Sequence, residues 1–345
     1  MQLTQTMHTL NRREFMKRAG AALACLALPR VPVLPDKPVQ EMLPTASLGR
    51  IATWWRQAVR KEPSTDAEVV AWKSRDEIIP LRGGIAGEAP WPNNPVWYRT
   101  DEGFIHSGYV QPVENTPSAE VIPDVAKPGF WAQVCVPIAQ ARWRPESSYV
   151  IYKLYYGTVY RVVGATPDHD GNWWYQLKEG ITYAPGPYVP AWSVRRITPE
   201  ELAPISPGRA DKRMEIDIGA QRLTCFEGES AVFSTGIASG LGGTATPHGE
   251  HRVLYKRHTQ RMIGGSEDDR YDLPGVAFPV YFTWSAVAIH GTYWHNDFVR
   301  RHSHGCVNVT NQAAQWIFRW TDPVVPYELH KGDATPEAAT RIVVF

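Results

Sequence analysis

The sequence predicts a mainly β protein, built from small sheets of short strands with one short helix near its C-terminus. Three observations carry this reading. Fourteen Trp and 29 Pro in 345 residues favour short strands, turns and aromatic packing over a helical bundle. Two stretches in the first two-thirds of the chain repeat a pattern of short alternating runs and turns. The last third opens on KRMEIDIGAQRLTCFEGES, where apolar and polar residues alternate and IGAQ and EGES break the runs as turns, which is a β-meander.

The length allows two or three domains. A formal net charge of +1, with Lys and Arg dispersed along the chain, argues against a nucleic-acid binder, which concentrates a basic face.

The N-terminus reads as a targeting segment. NRREFMKRAGAALACLALP pairs Arg12 with Arg13, then Phe15 and Lys17, before an apolar run from Ala19 to Leu28. That run is too short to span a bilayer but suits a signal-peptide core. Arg-Arg-x-Phe-x-Lys resembles a twin-arginine export signal, assigned to residues 1–28. No later segment is apolar enough to cross a membrane, so the mature chain is expected in the cell envelope or wall. Twin-arginine export carries folded proteins, so the fold should not need disulfides made afterwards. Cys25 sits in ALAC, a poor lipobox because Ala22 stands where Leu is usual. Cys135, Cys225 and Cys306 remain, an odd number that flags a free thiol. Residues 29–47 are Pro-rich and aperiodic, a semi-rigid tether.

The repeat comes next. WYRTDEGFIHSGYVQPV (97–113) parallels WYQLKEGITYAPGPYVPAWSVRRI (174–197): Trp97, Tyr98, Glu102 and Gly103 match Trp174, Tyr175, Glu179 and Gly180, and Tyr109-Val110 is set against Tyr188-Val189. Upstream, AVRKEPSTDAEVV pairs with QARWRPESSYVIY. The two units, 48–118 and 128–200, resemble bacterial SH3-like small β-barrels. Such a resemblance implies either wall-polymer binding or packing that holds the last domain away from the membrane. The aromatic tract GNWWYQ (171–176) is read as core before binding face. EELAPISPGRADK (200–212) reads as a linker, and 209–345 as the last domain. Within it YFTWSAVAIHG (281–291) is an apolar strand ending at His290, and TRIVVF a closing strand. The glycine-rich SGLGGTATPHG (239–249) lacks the Gly-Lys-Ser/Thr ending of a phosphate loop and reads as a mobile loop near the cleft.

The chemistry centres on HSHGCVNVTNQ (302–312). After Cys306, Thr310 is a candidate N-cap, with Ala313, Ala314, Ile317 and Phe318 on one helical face. Cys306 is therefore expected just before a helix N-terminus, whose dipole favours a thiolate. A thiolate is both nucleophile and metal ligand. His302, His304 and Cys306 alternate, with His295, Asp297, His248 and His251 elsewhere, so a zinc site is an open alternative. Against it, no Cys-x-x-Cys occurs, and Gly305 suggests a turn between the ligands. The remaining alternative is a buried, inert thiol.

HGTYWHNDFVRRHSHGCVN, with thirteen positions from His290 to Ser303, closely resembles the signature of the YkuD-type L,D-transpeptidases. His290, Gly291, Ser303, His304, Gly305, Cys306 and Asn308 fit it, and TPHGEHRVLYK (246–256) fits the same domain. The resemblance covers about 210–345. It implies a β-rich catalytic domain without cofactor or metal, in which Cys306 is the nucleophile and His290 the base. The Gly291 carbonyl would orient His290, in a pair that rests as thiolate and imidazolium. Gly305 lets the backbone turn, so that the amides of Gly305 and Cys306 face a developing oxyanion. His304 shapes that hole, Ser303 holds the loop, and Asn308 is a loop or substrate contact. Family members often carry Gly and Pro where Val299 and His302 stand here. Arg300 and Arg301 are placed at the cleft mouth, where a substrate carboxylate would meet them. The implied partners are peptidoglycan stem peptides, with carbapenem-type inhibitors acylating Cys306. The implied reaction is L,D-transpeptidation, with L,D-carboxypeptidation or a non-catalytic wall-binding role as alternatives.

Overall fold

Short alternating runs such as QAVR and VVAWK cannot bury a face alone, so they pair into hairpins whose apolar side turns inward. In the first unit Gln57–Arg60 pairs antiparallel with Val69–Lys73, and in the second Ile138–Arg142 pairs with Val150–Tyr155. Both hairpins carry a bulge at the matched place, between Val59 and Arg60 and between Ala141 and Arg142. Arg60 then faces Phe104, and Arg142 faces Tyr188. The strand order also repeats. Leu48–Ile51 lies between Ile78–Pro80 and Val110–Val113. Its counterpart Phe130–Val134 lies between Val159–Pro167 and Val194–Arg196. In each unit a short 3-10 turn, Ser107–Tyr109 or Ala191–Ser193, precedes the last strand. This places Phe104-Ile105, not Tyr109-Val110, opposite Tyr188-Val189. The similarity of two Tyr-Val pairs misaligns the ends by one strand.

The computed structural model describes residues 46–88, 90, 93–178, 186–266, 270–335 and 337–345. The export signal, Cys25 and all but the last two residues of the Pro-rich stretch lie outside the described residues. Among the described residues no helix is long and apolar enough to cross a membrane.

The last third holds two five-stranded sheets. In the first, Arg222–Glu227 pairs antiparallel with both Ser230–Gly236 and Lys212–Asp217, and the chain's final strand, Arg341–Val344, joins parallel to Lys212–Asp217. The second sheet runs Val307–Val309, Ala288–Gly291, Val280–Tyr281, Tyr255–Arg257, Lys331–Asp333. YFTWSAVAIHG is thus two strands and not one. Thr283 to Ala286 forms the hairpin turn between them, with Ala286 N–H donating to Thr283 O at 3.2 Å and Val287 N–H to Thr283 Oγ1 at 3.0 Å. The helix Asn311–Trp320 starts where its cap predicts: Thr310 Oγ1 accepts from Ala313 N–H at 3.1 Å. It buries Ala313, Ala314, Ile317, Phe318 and Trp320 against the sheets.

The core does not stop at the expected domain boundary. Trp131, Val159, Ile197 and Leu202 belong to the same buried cluster as Met214, Ile289, Val307 and Phe318. Trp131 stacks on His258 with centroids 4.4 Å apart, and its Nε1–H donates to Tyr327 O at 2.7 Å. EELAPISPGRADK is therefore not a free linker, since Leu202 is buried in this core. Trp174 and Tyr175 of GNWWYQ are buried as well. Cys135, Cys225 and Cys306 are free thiols.

Candidate active site

The site forms where two short strands run parallel. Ile289 pairs with Val307 and His290 with Asn308. Paired residues in parallel strands point to one face, and side chains alternate. His290 and Asn308 therefore share a face, and Cys306 immediately precedes the strand Val307–Val309. Cys306 lies at the mouth of this sheet, with Sγ 4.0 Å from Ala286 O in the 283–286 turn.

His290 is 2% exposed. Its Nδ1–H donates to Gly291 O at 3.0 Å. A carbonyl can only accept, so the neutral ring carries its proton on Nδ1 and leaves Nε2 as the basic atom. Burial lowers its pKa to about 4. A side chain at position 291 would meet Asn311 Oδ1 at 2.2 Å, so the orienting carbonyl depends on glycine there. Burial pushes the Cys306 thiol up. Both shifts favour the uncharged forms over the expected ion pair. The helix gives no compensating charge at Cys306. It begins at Asn311, with the strand Val307–Val309 intervening.

The loop before Cys306 is tightly bonded. Ser303 Oγ donates to Cys306 O and accepts from Gly305 N–H at 3.1 Å. That bond removes the Gly305 amide from the expected oxyanion pair, because one N–H cannot serve both. Gly305 has φ +113, a conformation that requires glycine. Its carbonyl accepts from Thr246 Oγ1 at 2.9 Å, and the same hydroxyl accepts from Gly240 N–H at 2.9 Å. Ser239 O accepts from His302 N–H at 2.8 Å and from Ser303 N–H at 3.0 Å. The ends of SGLGGTATPHG thus pin the Cys306 loop, while residues 241–245 are exposed. Thr246 and Ser239 were not singled out in the sequence. Their signal is only proximity to glycines, and their partners lie about 60 positions away.

The other expected residues fall as follows. His304 is exposed, its ring tilted 5.2 Å from that of Tyr271. Asn308 is buried, its backbone bonded to Ala238 in both directions at 2.9 Å, which favours a loop role over substrate contact. Its side-chain amide meets His295 Nε2 at 2.9 Å. His295 Nδ1 accepts from Asp297 N–H at 3.1 Å. Arg300 is paired with Asp297 at 3.1 Å, whereas Arg301 is exposed. Val299, at the position where family members often carry glycine, has φ 69, a conformation that costs a β-branched residue about 1–2 kcal/mol. His248 is exposed, and His251 Nε2 bonds Pro247 O at 3.1 Å. Among the described residues no three His, Cys, Asp or Glu side chains gather as a metal would require.

Burial of these rings predicts acid sensitivity. His290 is lowered to about 4 and His258 to about 3, against 6.5 when free. Between those limits the unfolded chain binds protons that the fold excludes, so stability is full above pH 6.5 and lost as pH falls toward 4. Each ring contributes about 2–3 kcal/mol over that span. Urea midpoints at pH 7 and pH 4.5 are expected to differ accordingly, and His258→Phe should reduce the difference.

A half-buried thiol, a buried imidazole with its proton on Nδ1, and a loop fixed by Ser303 are groups that thiol-dependent acyl transfer uses. Residues 211–343 match the YkuD family, the L,D-transpeptidase catalytic domain, so this segment of the chain is a YkuD-type catalytic domain. No curated protein matches the sequence. Three solved structures show the extent of overall likeness. An L,D-transpeptidase of Enterococcus faecium is 23% identical, with 39% of this chain and 50% of that one covered and a TM-score of 0.31. The chain therefore spans half the length of that relative. An L,D-transpeptidase from Mycobacterium smegmatis is 18% identical over 54% of this chain and 99% of that one, TM-score 0.32. Another, determined in complex with imipenem, is 19% identical over 65% of this chain and 100% of that one, TM-score 0.33. Likeness at this level carries no weight in the reading of the site.

Proposed function

We propose that the chain is an exported peptidoglycan L,D-transpeptidase working through a thioester on Cys306. The observation that carries this is the pairing of the His290 strand with the strand that directly follows Cys306, within a segment that matches the L,D-transpeptidase family. Sγ attacks the carbonyl carbon before the terminal D-residue of a stem tetrapeptide. The thiol proton passes to His290 Nε2 and then to the leaving amine as the C–N bond breaks. An amine of a neighbouring stem attacks the thioester, the new amide forms, and the thiol is restored. The pair ionises only when substrate arrives, which suits a buried site where an isolated ion pair costs free energy. With the Gly305 amide held by Ser303, the Cys306 amide and the His304 segment are the candidates for oxyanion support. Arg301 is the candidate for the substrate carboxylate, since Arg300 is held by Asp297. No cofactor takes part, and by family resemblance carbapenems acylate Cys306.

The test is product analysis after incubating the full mature chain with a disaccharide-tetrapeptide. Cross-linked dimer supports transpeptidation. Tripeptide without dimer replaces it with an L,D-carboxypeptidase. No turnover by folded protein that still binds sacculi moves the assignment to a wall-binding protein.

A further inference from the structure

The segment between His290 and Ser303 is held from outside the catalytic domain. Asn296 N–H donates to Gly108 O at 3.2 Å, and its Nδ2–H groups donate to Tyr98 OH at 3.2 Å and Ser107 O at 3.3 Å. Asn93 Nδ2–H donates to Val299 O at 3.2 Å. Arg50, 1% exposed, donates through Nη2 to Tyr293 O. The same guanidinium bonds Gln111 Oε1 at 2.9 and 3.1 Å and Asp76 Oδ1 at 3.0 Å. It also lies 4.1 Å from the Tyr155 ring centroid, and Tyr155 stacks on Tyr293 at 5.2 Å. A buried guanidinium this fully bonded fixes its partners in a single geometry.

The inner side of the same loop reaches the site. His295, next to Asn296, bonds Asn308, which pairs in register with His290. The ring of Trp294 lies 5.8 Å from that of His290. Val299 keeps its left-handed backbone between two anchors, Asn93 of the first unit and Ile237 O, which accepts from Val299 N–H at 2.7 Å. Strain of that kind persists only where the surroundings over-determine it.

We propose that the first β unit is a working part of the catalytic centre: through Asn296 and Arg50 it fixes the loop 293–300, making Asn296 a positioning residue that acts through His295 and Asn308 on His290. The inference rests on His290 being the base of the proposed reaction. It also sets aside a simple division in which the accessory units bind the wall and the last domain works alone.

The test uses full-length protein with Asn296→Asp, which keeps size but cannot donate, and Tyr98→Phe, which removes one acceptor. Two quantities are read: the rate of Cys306 acylation by the tetrapeptide, and the His290 titration midpoint by imidazole NMR, assigned with His290→Gln. The titratable side chain recorded against His290 is His295, which is kept in these variants; because Asn296→Asp adds a carboxylate beside it, the midpoint is also read in the uncharged Asn296→Leu, where the same rise is expected. With Asn296→Asp, acylation should fall by about 10- to 100-fold. The melting temperature should stay within a few degrees, and the His290 midpoint should rise toward that of a free imidazole as water enters. Tyr98→Phe should give a smaller change in the same direction. A wild-type midpoint in Asn296→Asp overturns the inference, whether acylation is normal or falls only with the folded fraction. If the wild-type chain forms no acyl-enzyme, the functional reading fails, and the midpoint still decides the positioning role.

Discussion

Replacing Cys306 with alanine is expected to lower turnover by at least about 10⁴-fold, because the proposed thioester route then has no nucleophile and the residual rate comes from binding and polarisation alone. The fold should hardly notice. Cys306 is half-buried, and the loop bonds to it run through its carbonyl, which Ser303 engages. The melting temperature should therefore stay close to that of the wild type. A parallel experiment separates the three cysteines among the described residues. Cys135 and Cys225 are buried away from reagent, whereas Cys306 is half-buried. A thiol reagent at neutral pH should thus inactivate the enzyme through Cys306, and mass mapping should find a single modified site.

His290→Gln is the second large effect, with an expected loss of about 10²–10⁴-fold from removing the base. Its companion is the pH profile. A base with a pKa lowered to about 4 is unprotonated above that value, so activity should persist to mildly acidic pH and fall as pH drops through 4. The sign follows from Nε2: the working form is the neutral one, and acid fills the atom that must accept the thiol proton. In His290→Gln the small remaining rate should rise with pH through the range where a burial-raised Cys306 thiol ionises, because only pre-formed thiolate can react. A wild-type acid limb near 6.5 would mean that water reaches the ring and that the loop 293–300 does not seal it.

Much of the site was legible because its information is local. Ser303, His304, Gly305 and Cys306 are contiguous. Gly305 announces a turn, and Thr310 announces the helix start that the structure places at Asn311. The repeat was legible in its hairpins, since matched sequences carry matched bulges. What escaped depends on distant partners. Burial pushes Cys306 and His290 toward their uncharged forms, and the helix expected beside Cys306 begins five residues later. The amide of Gly305 looks available until Ser303 Oγ is seen to accept from it. Arg50 sits on an ordinary short strand, and nothing in LGRI marks it for burial. Its decisive partner, Tyr293, lies 243 positions away. Periodicity reports which face a residue takes, but not what arrives to cover that face. For that reason the accessory units read as appendages in sequence, while in the fold the second shares the catalytic core and the first holds the loop beyond His290.

The most direct test of the central claim is the intact mass of the mature enzyme mixed with a disaccharide-tetrapeptide, beside Cys306→Ala. The account predicts a transient gain equal to the substrate less its terminal D-residue, absent from the variant. Folded wild-type protein that shows no adduct and no turnover, or an adduct that persists in Cys306→Ala, would contradict it.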